Sequence, residues 1–136
     1  MSAVTHILDT SALLAHYFDE LGADAVQHLW DGPGPKPGIS AVTVAELRGR
    51  LDQEIADKAE RESAVESYLG ELTVCIPVDR AVAELAWQIR TVTPQRLPLV
   101  DALIAATARS AGAILVHKDP HLARIPPELV RQIVLG

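Results

Sequence analysis

Short apolar segments alternate with longer stretches of helical periodicity along the chain. Apolar, β-branched runs predict buried strands at residues 3–8, 39–42, 72–78, 113–117 and 131–135. The spacing of apolar positions predicts helices at residues 11–18, 24–30, 43–51, 52–70, 79–90 and 98–112. Residues 31–38 (DGPGPKPG) form a loop because proline and glycine disfavour regular structure. Short strands alternating with helices are typical of a parallel sheet covered on both faces.

The predicted fold is an α/β three-layer sandwich with a mostly parallel sheet of four or five strands. The 136 residues suffice for a real core, and neither a repeat nor a linker divides them, so we expect a single domain over residues 1–136. Aromatic residues make up only 4% of the chain, so alanine, leucine and valine must fill the core. In such sheets, sites form beyond the carboxyl ends of the strands, where the strand order reverses.

Composition excludes several classes of protein. Cys75 is the only cysteine, which excludes an intramolecular disulfide and a multi-cysteine zinc site. We expect it to be buried and reduced, which favours a cytoplasmic location. The sequence has neither an apolar stretch of about 18 residues that would span a membrane nor the cationic start of a signal peptide. The net charge of −6 disfavours binding to nucleic acid, unless the acids surround divalent cations.

Two aspartates follow predicted strands directly. Asp9 comes after the first strand and Asp119 after the fourth, so both should lie on the same rim of the sheet. A structural role is open for each of them. Asp9 could cap the next helix, although Thr10 or Ser11 could do this instead, and Asp119 could simply be polar in a turn.

Two further acids lie on predicted helices. Asp101 shares a helix face with three apolar residues, namely Ile104, Ala105 and Ala108. A carboxylate on an apolar face costs several kcal/mol unless something pairs with it. Glu46 lies early in its helix, and pairing with Arg50 one turn later would be an ordinary structural role. If all four carboxylates converge, a divalent cation such as Mg²⁺ or Mn²⁺ would relieve their repulsion.

Four segments, in this order and spacing, resemble the PIN-domain ribonucleases, and among them the VapC toxins of prokaryotic VapBC toxin–antitoxin modules. The segments are ILDTSALLA (7–15), VTVAELRGR (42–50), LPLVDALIAATARSAGAILV (97–116) and HKDPHL (117–122). The likeness covers essentially the whole chain. It implies a Rossmann-like PIN fold and Mg²⁺- or Mn²⁺-dependent endonucleolytic cleavage of RNA, with tRNA and rRNA as candidate targets. It also implies a homodimer that is inhibited by a VapB-type antitoxin, whose carboxyl-terminal segment lies in the active-site groove.

The resemblance also implies roles for particular residues. The four acidic places of the family, which bind metal and support catalysis, fall on Asp9, Glu46, Asp101 and Asp119. The supporting hydroxyl position falls on Thr10 or Ser11. The last family motif often has Thr, Ser or Asn where this chain has His117, which we expect to make a supporting hydrogen bond or to contact phosphate. The candidates for phosphate contact are Arg48, Arg50, Arg96 and Lys118.

Three other interpretations compete with this one. A histidine–metal site built from His117, Asp119 and His121 is disfavoured, because alternating residues in a proline-containing loop rarely converge. A phospho-receiver domain is disfavoured because only Asp79 follows the third strand, where a helix cap explains it. A catalytically inactive PIN-like module that binds RNA or protein remains the alternative. Contacts with a second copy or the antitoxin could use apolar residues of the first helix, around Leu13, Leu14, Tyr17 and Phe18, which could equally belong to the core.

Overall fold

The computed structural model describes residues 4–136. The strands are β1 (His6–Leu8), β2 (Gly38–Ser40), β3 (Val74–Ile76), β4 (Ile114–His117) and β5 (Gln132–Val134). The helices are α1 (Thr10–Tyr17), α2 (Ala23–Asp31), α3 (Ala41–Glu54), α4 (Lys58–Val65), α5 (Arg80–Val92), α6 (Leu99–Ala111) and α7 (Pro120–Ala123). A π-helical turn, Glu66–Glu71, follows α4. Among the described residues, no helix is both long and apolar enough to cross a membrane.

All five strands form one parallel sheet in the order β3-β2-β1-β4-β5. The chain adds β2 and β3 on one side of β1, then crosses to the other side and adds β4 and β5. The strand order therefore reverses between β1 and β4, which pair directly. The predicted α/β sandwich is confirmed, and Asp9 and Asp119 both lie at this reversal point.

Side-chain caps explain where several helices begin. Asp9, Ser40, Asp57 and Asp79 each accept a hydrogen bond from a backbone N–H in the first turn of the helix that follows. The cap at Asp79 confirms its predicted role. At the carboxyl end of α6, Gly112 adopts a left-handed conformation with φ of 65°, as the helix end predicted at this residue requires.

Three predicted features differ from the structure. The second strand is Gly38–Ser40 and α3 begins at Ala41, because the Ser40 hydroxyl caps the helix earlier than predicted. Residues 52–70 do not form one helix: α3 ends at Glu54, and α4 starts afresh after its own cap. Cys75 is exposed, not buried, because β3 is an edge strand. The start of the predicted first strand, Ala3, lies outside the described residues.

Two apolar clusters pack on the sheet. One surrounds α5 and α6, and the other surrounds α1, α3 and α4. The predicted apolar face of α6 is confirmed, since Ile104, Ala105 and Ala108 are all buried. Leu13 and Leu14 of α1 are also buried, so they belong to the core of this chain, whereas Phe18 is exposed.

Candidate metal centre

Asp9 is fixed by the first turn of α1. Its Oδ1 accepts a hydrogen bond from the backbone N–H of Ala12 at 2.9 Å, and the Ser11 hydroxyl donates to both of its carboxylate oxygens at 2.7 and 2.9 Å. Only 3% of the residue is exposed. Burial raises the pKa of Asp9 to about 7, although the hydrogen bonds from Ser11 and Ala12 oppose this rise. Asp9 therefore caps the helix. Its carboxylate is also repelled by the charges of Asp119 and Asp101, which contribute to its raised pKa.

Ser11 connects the ends of the two central strands. Its hydroxyl oxygen accepts a hydrogen bond from the backbone N–H of Lys118 at 2.8 Å while its proton is shared between the two oxygens of Asp9. Lys118 follows β4 directly, so this one side chain joins the segment after β1 to the segment after β4. The hydroxyl thus holds the two strand ends at a fixed spacing.

Thr10 positions the glutamate of α3. Its hydroxyl donates to Oε1 of Glu46 at 2.6 Å. Among the described residues, Arg50 pairs with Glu54 at 3.7 Å and does not pair with Glu46. The predicted alternative, a structural Glu46–Arg50 pair, is therefore not observed.

Asp101 enters the cluster from the first turn of α6. It is 9% exposed, and its pKa is raised to about 7, first by burial and then by the neighbouring charges of Asp119 and Glu46, while His121 acts in the opposite direction. Asp119 lies at the start of α7 and caps this helix: its Oδ1 accepts a hydrogen bond from the backbone N–H of His121 at 2.8 Å.

At the reversal point of the sheet, the structure brings carboxylate oxygens of Asp101 and Asp119 within 4.8 Å of each other, and Asp9 and Glu46 lie near enough for their charges to interact with this pair. Asp9 and Asp101 both have raised pKa values in which the charges of neighbouring carboxylates play a part. Carboxylate oxygens are the ligands that Mg²⁺ and Mn²⁺ accept, and a divalent cation would remove the repulsion between the acids. The donor set fits such an ion.

His117 is wholly buried behind the acids. Its Nδ1 accepts a hydrogen bond from the backbone N–H of Asp119 at 3.1 Å, so its Nε2 carries the proton and donates to Oε1 of Gln132 at 2.7 Å. Burial lowers the pKa of His117, in keeping with this neutral form. Both ring nitrogens are engaged, which leaves His117 able to orient Asp119 but not to bind a metal in this arrangement.

His121 also joins the cluster, which was not predicted from the sequence. Its Nδ1 lies 3.2 Å from Oδ1 of Asp119 and 3.7 Å from Oδ2 of Asp101. One ligand atom from each of these three residues lies within 4.8 Å of the others. The expectation that the 117–121 segment would not converge was therefore wrong for Asp119 and His121. The reason is the short helix α7, which turns the chain back immediately after Asp119.

A groove opens beside the acids. It has a volume of about 420 Å³ and is lined by Ser11, Leu14, Phe18, Glu20, Arg50, Glu54 and Lys118. Ser11 links this groove to the carboxylates, and Arg50 and Lys118 line its walls, where they pair with Glu54 and Glu20 of the same groove. Two of the four predicted phosphate-contacting residues therefore lie next to the acidic cluster.

The fold and the cluster define an α/β domain with a candidate divalent-metal centre at its topological switch point. The chain belongs to the PIN domain family, whose model matches residues 6–127. A comparison with curated proteins found no match.

Solved toxin–antitoxin structures share this fold. VapBC2 from Rickettsia felis, bound to a DNA fragment from its promoter, aligns with a TM-score of 0.78 at 19% identity, covering 98% of this chain and 100% of that one. VapBC-5 from Mycobacterium tuberculosis aligns with a TM-score of 0.70 at 25% identity, over 98% and 99% of the two chains. VapC20 from the same organism, a toxin that cleaves the sarcin–ricin loop, aligns with a TM-score of 0.68 at 19% identity, over 88% and 93%.

Proposed function

We propose that this protein is a divalent-metal-dependent endoribonuclease that acts as the toxin of a type II toxin–antitoxin pair. The observation that carries the proposal is the convergence of Asp9, Glu46, Asp101 and Asp119 at the point where the strand order reverses. Asp9 and Asp101 are buried, and neighbouring carboxylate charges help to raise their pKa values, which is unfavourable for folding alone and favours a role in binding cations.

Membership of the PIN family and the likeness to VapBC structures support the same proposal. Fold alone does not establish an activity, because one fold hosts many functions. The acidic residues supply candidate metal ligands, which the fold alone does not imply. VapC20 gives an example of RNA cleavage by a protein of this fold.

We assign Asp9, Asp101 and Asp119 to holding Mg²⁺ or Mn²⁺, with Glu46 completing the set. The cation, when bound, supplies positive charge that offsets the negative charge developing on the phosphoryl oxygens and on the leaving oxygen. The hydrogen bond from Thr10 leaves the other oxygen of Glu46 to orient the attacking water. His117 fixes the backbone of Asp119, and Ser11 holds Asp9 against the end of β4.

Arg50 and Lys118 contribute to substrate binding in this proposal. Their side chains line the groove that begins at Ser11, where they can contact phosphates on either side of the scissile bond. Sequence preference would then come from the shape of single-stranded loops in the target, which is how proteins usually recognise RNA. tRNA and rRNA offer such loops.

The toxin role also implies partners and a location. We propose that the chain forms a homodimer, which light scattering would detect as twice the 14.6 kDa mass of one chain. A VapB-type antitoxin would inhibit the enzyme in the cytoplasm, where its RNA targets are found. Co-expression with a VapB-type antitoxin should yield a stable complex without RNA cleavage.

Cleavage of a panel of structured RNAs by the purified protein tests the activity. We expect cleavage with Mg²⁺ or Mn²⁺, none in EDTA, and a loss of about 100-fold or more in Asp101→Asn. Asp24→Asn, which changes an exposed carboxylate on α2, is the matched control and should cleave like the wild type. Equal activity in EDTA, or in Asp101→Asn, would contradict the proposal and favour a PIN-like binding module.

A further inference from the structure

His121 brings the only ring nitrogen, among the described residues, that the structure places within the candidate ligand group. The remaining ligands of that group are carboxylate oxygens. The distances from Nδ1 to the nearest oxygens of Asp119 and Asp101 are 3.2 and 3.7 Å. An octahedral ion with bonds of about 2.1 Å holds its ligand atoms about 3 Å apart when adjacent and about 4.2 Å apart when opposite. The observed spacings lie within these limits.

The short helix α7 fixes this arrangement. Asp119 caps the helix, and its Oδ1 accepts the backbone N–H of His121 at 2.8 Å while also facing Nδ1 of the same residue. Pro120 occupies the first helical turn, and Leu122 is wholly buried in the core. The backbone on both sides of His121 is therefore restrained, and its half-exposed ring lies beside the acids before any ion binds.

We propose that Nδ1 of His121 is a ligand of the bound cation and shifts the preference of the site from Mg²⁺ toward first-row transition ions such as Mn²⁺. Imidazole nitrogen binds these ions, whereas Mg²⁺ takes oxygen ligands almost exclusively. The inference rests on the proposed function, because it concerns the same acidic cluster. It adds a nitrogen ligand to a set that was otherwise composed of oxygens.

A simpler role for His121 competes with this one. A protonated imidazole beside Asp101 and Asp119 would act as a counterion, in which case metal binding would displace it. The two roles differ in whether nitrogen touches the metal. They can therefore be distinguished by a measurement that detects that contact directly.

The test uses the untagged 136-residue chain with Mn²⁺ and Mg²⁺ as the only ligands. Pulsed electron paramagnetic resonance of bound Mn²⁺ detects coupling to a directly bound ¹⁴N nucleus, and calorimetry gives the affinity for each ion. The variant is His121→Asn, which offers an oxygen near the position of Nδ1. The matched control is His28→Asn, which changes an exposed histidine on α2. Circular dichroism confirms that each variant folds.

We expect ¹⁴N coupling in the wild type and in His28→Asn, and its loss in His121→Asn. The affinity for Mn²⁺ should fall about tenfold or more in His121→Asn, whereas the affinity for Mg²⁺ should change by less than about threefold. Mn²⁺ binding without ¹⁴N coupling in the wild type would overturn the ligand role of His121 and leave the proposed function intact. Failure of the wild type to bind either ion would overturn both.

Discussion

At the scale of single residues, hydroxyl groups next to Asp9 organise the acids. Thr10 and Ser11 follow Asp9 in the sequence, yet they serve different partners: the first donates to Glu46, and the second joins Asp9 to the backbone after β4. Three consecutive residues thus connect two carboxylates, Asp9 and Glu46, with the backbone that follows β4. This division of roles follows from the first turn of α1, in which successive side chains point in different directions.

Replacement of Ser11 by alanine should destabilise the protein and impair cleavage together. The Lys118 N–H would lose its acceptor and Asp9 would lose a donor, which costs about 1–3 kcal/mol in the free energy of unfolding. Urea unfolding and RNA cleavage measure the two effects. Ser110→Ala, at an exposed position of α6, is the control and should change neither. Wild-type stability in Ser11→Ala would show that the bridge contributes nothing.

The raised pKa values predict how stability depends on pH in the absence of divalent cations. The pKa of Asp101 is about 7 in the folded protein and has an ordinary value of 3.8, so the folded protein binds more protons between these values. The free energy of unfolding should therefore fall as the pH rises through this window, and the loss should persist at higher pH.

Asp101→Asn removes the share of this loss that comes from Asp101, because the amide is neutral at every pH, and leaves the share from Asp9, whose pKa is also raised to about 7. In EDTA, the variant should melt several degrees above the wild type at pH 8, since about 1 kcal/mol shifts Tm by about 2–8 °C in domains of this size. The difference should shrink toward pH 4. Differential scanning calorimetry measures both, with Asp24→Asn as the control. A Tm difference that does not vary with pH would contradict the predicted titration.

The sequence revealed the acids but not the full set of side chains around them. Asp101 was recognisable because it interrupts an apolar helix face, and that face is buried as expected. His121 was not, because its position depends on a four-residue helix whose cap is Asp119 itself. A cap at that residue could have been suspected from the proline that follows it, which favours the first turn of a helix. The direction of the His121 ring could not have been predicted from the sequence.

At the scale of elements, the predicted helix boundaries agree with the structure where a capping residue marks them. Asp79 and Gly112 mark the ends of α5 and α6, and both were recognised from the sequence. Residues 52–70 were wrongly predicted to form one helix, because their charges alternate at helical spacing across the break between α3 and α4. The cap at Asp57 starts the second helix, and the π-helical turn after α4 has no distinct pattern in the sequence. Periodicity alone therefore could not place these ends.

The left-handed conformation at Gly112 gives a prediction for the element scale. Gly112→Ala should lower the free energy of unfolding by about 1–2 kcal/mol, because φ is 65° while the space around the added Cβ is open. The rate of RNA cleavage should not change, since the residue lies at the far end of α6 from Asp101. Gly112→Asn is the control and should lose less stability, because asparagine tolerates this conformation. Equal losses would contradict the backbone explanation.

At the scale of the whole molecule, the chain combines a net charge of −6 with a proposed nucleic-acid substrate. In the proposed function, phosphates of RNA would contact Arg50 and Lys118 in the groove beside the acids. A cation in the acidic cluster would further offset the local negative charge.

Replacement of Arg50 by alanine should lower the affinity for RNA and make this affinity less dependent on salt concentration. Measured in an Asp101→Asn background to prevent cleavage, the slope of the logarithm of affinity against the logarithm of salt concentration should fall in magnitude by about 0.7 for one lost phosphate contact. Arg80→Ala, at an exposed position on α5, is the control and should leave the slope unchanged. An unchanged slope in Arg50→Ala would place the RNA elsewhere.

The overall topology was only partly predictable. The alternation of strands and helices indicated a parallel sheet, but no spacing in the sequence specifies the order β3-β2-β1-β4-β5. That order depends on how the helices pack across both faces, which is a property of the folded chain. It is also what brings the segments after β1 and β4 together. The alternation of strands and helices predicts that Asp9 and Asp119 share one rim of the sheet, and the convergence of all four acids is inferred from this fold, since no local spacing in the sequence demands it.

The four acids are proposed to form a divalent-metal centre, and crystals of the wild-type protein soaked in MnCl₂ test this most directly. An anomalous difference map locates Mn²⁺ without prior assumptions about its ligands. We predict a peak within about 2.5 Å of carboxylate oxygens from Asp101 and Asp119, next to Asp9. Peaks found only at surface carboxylates, with none inside the cluster, would contradict the metal centre.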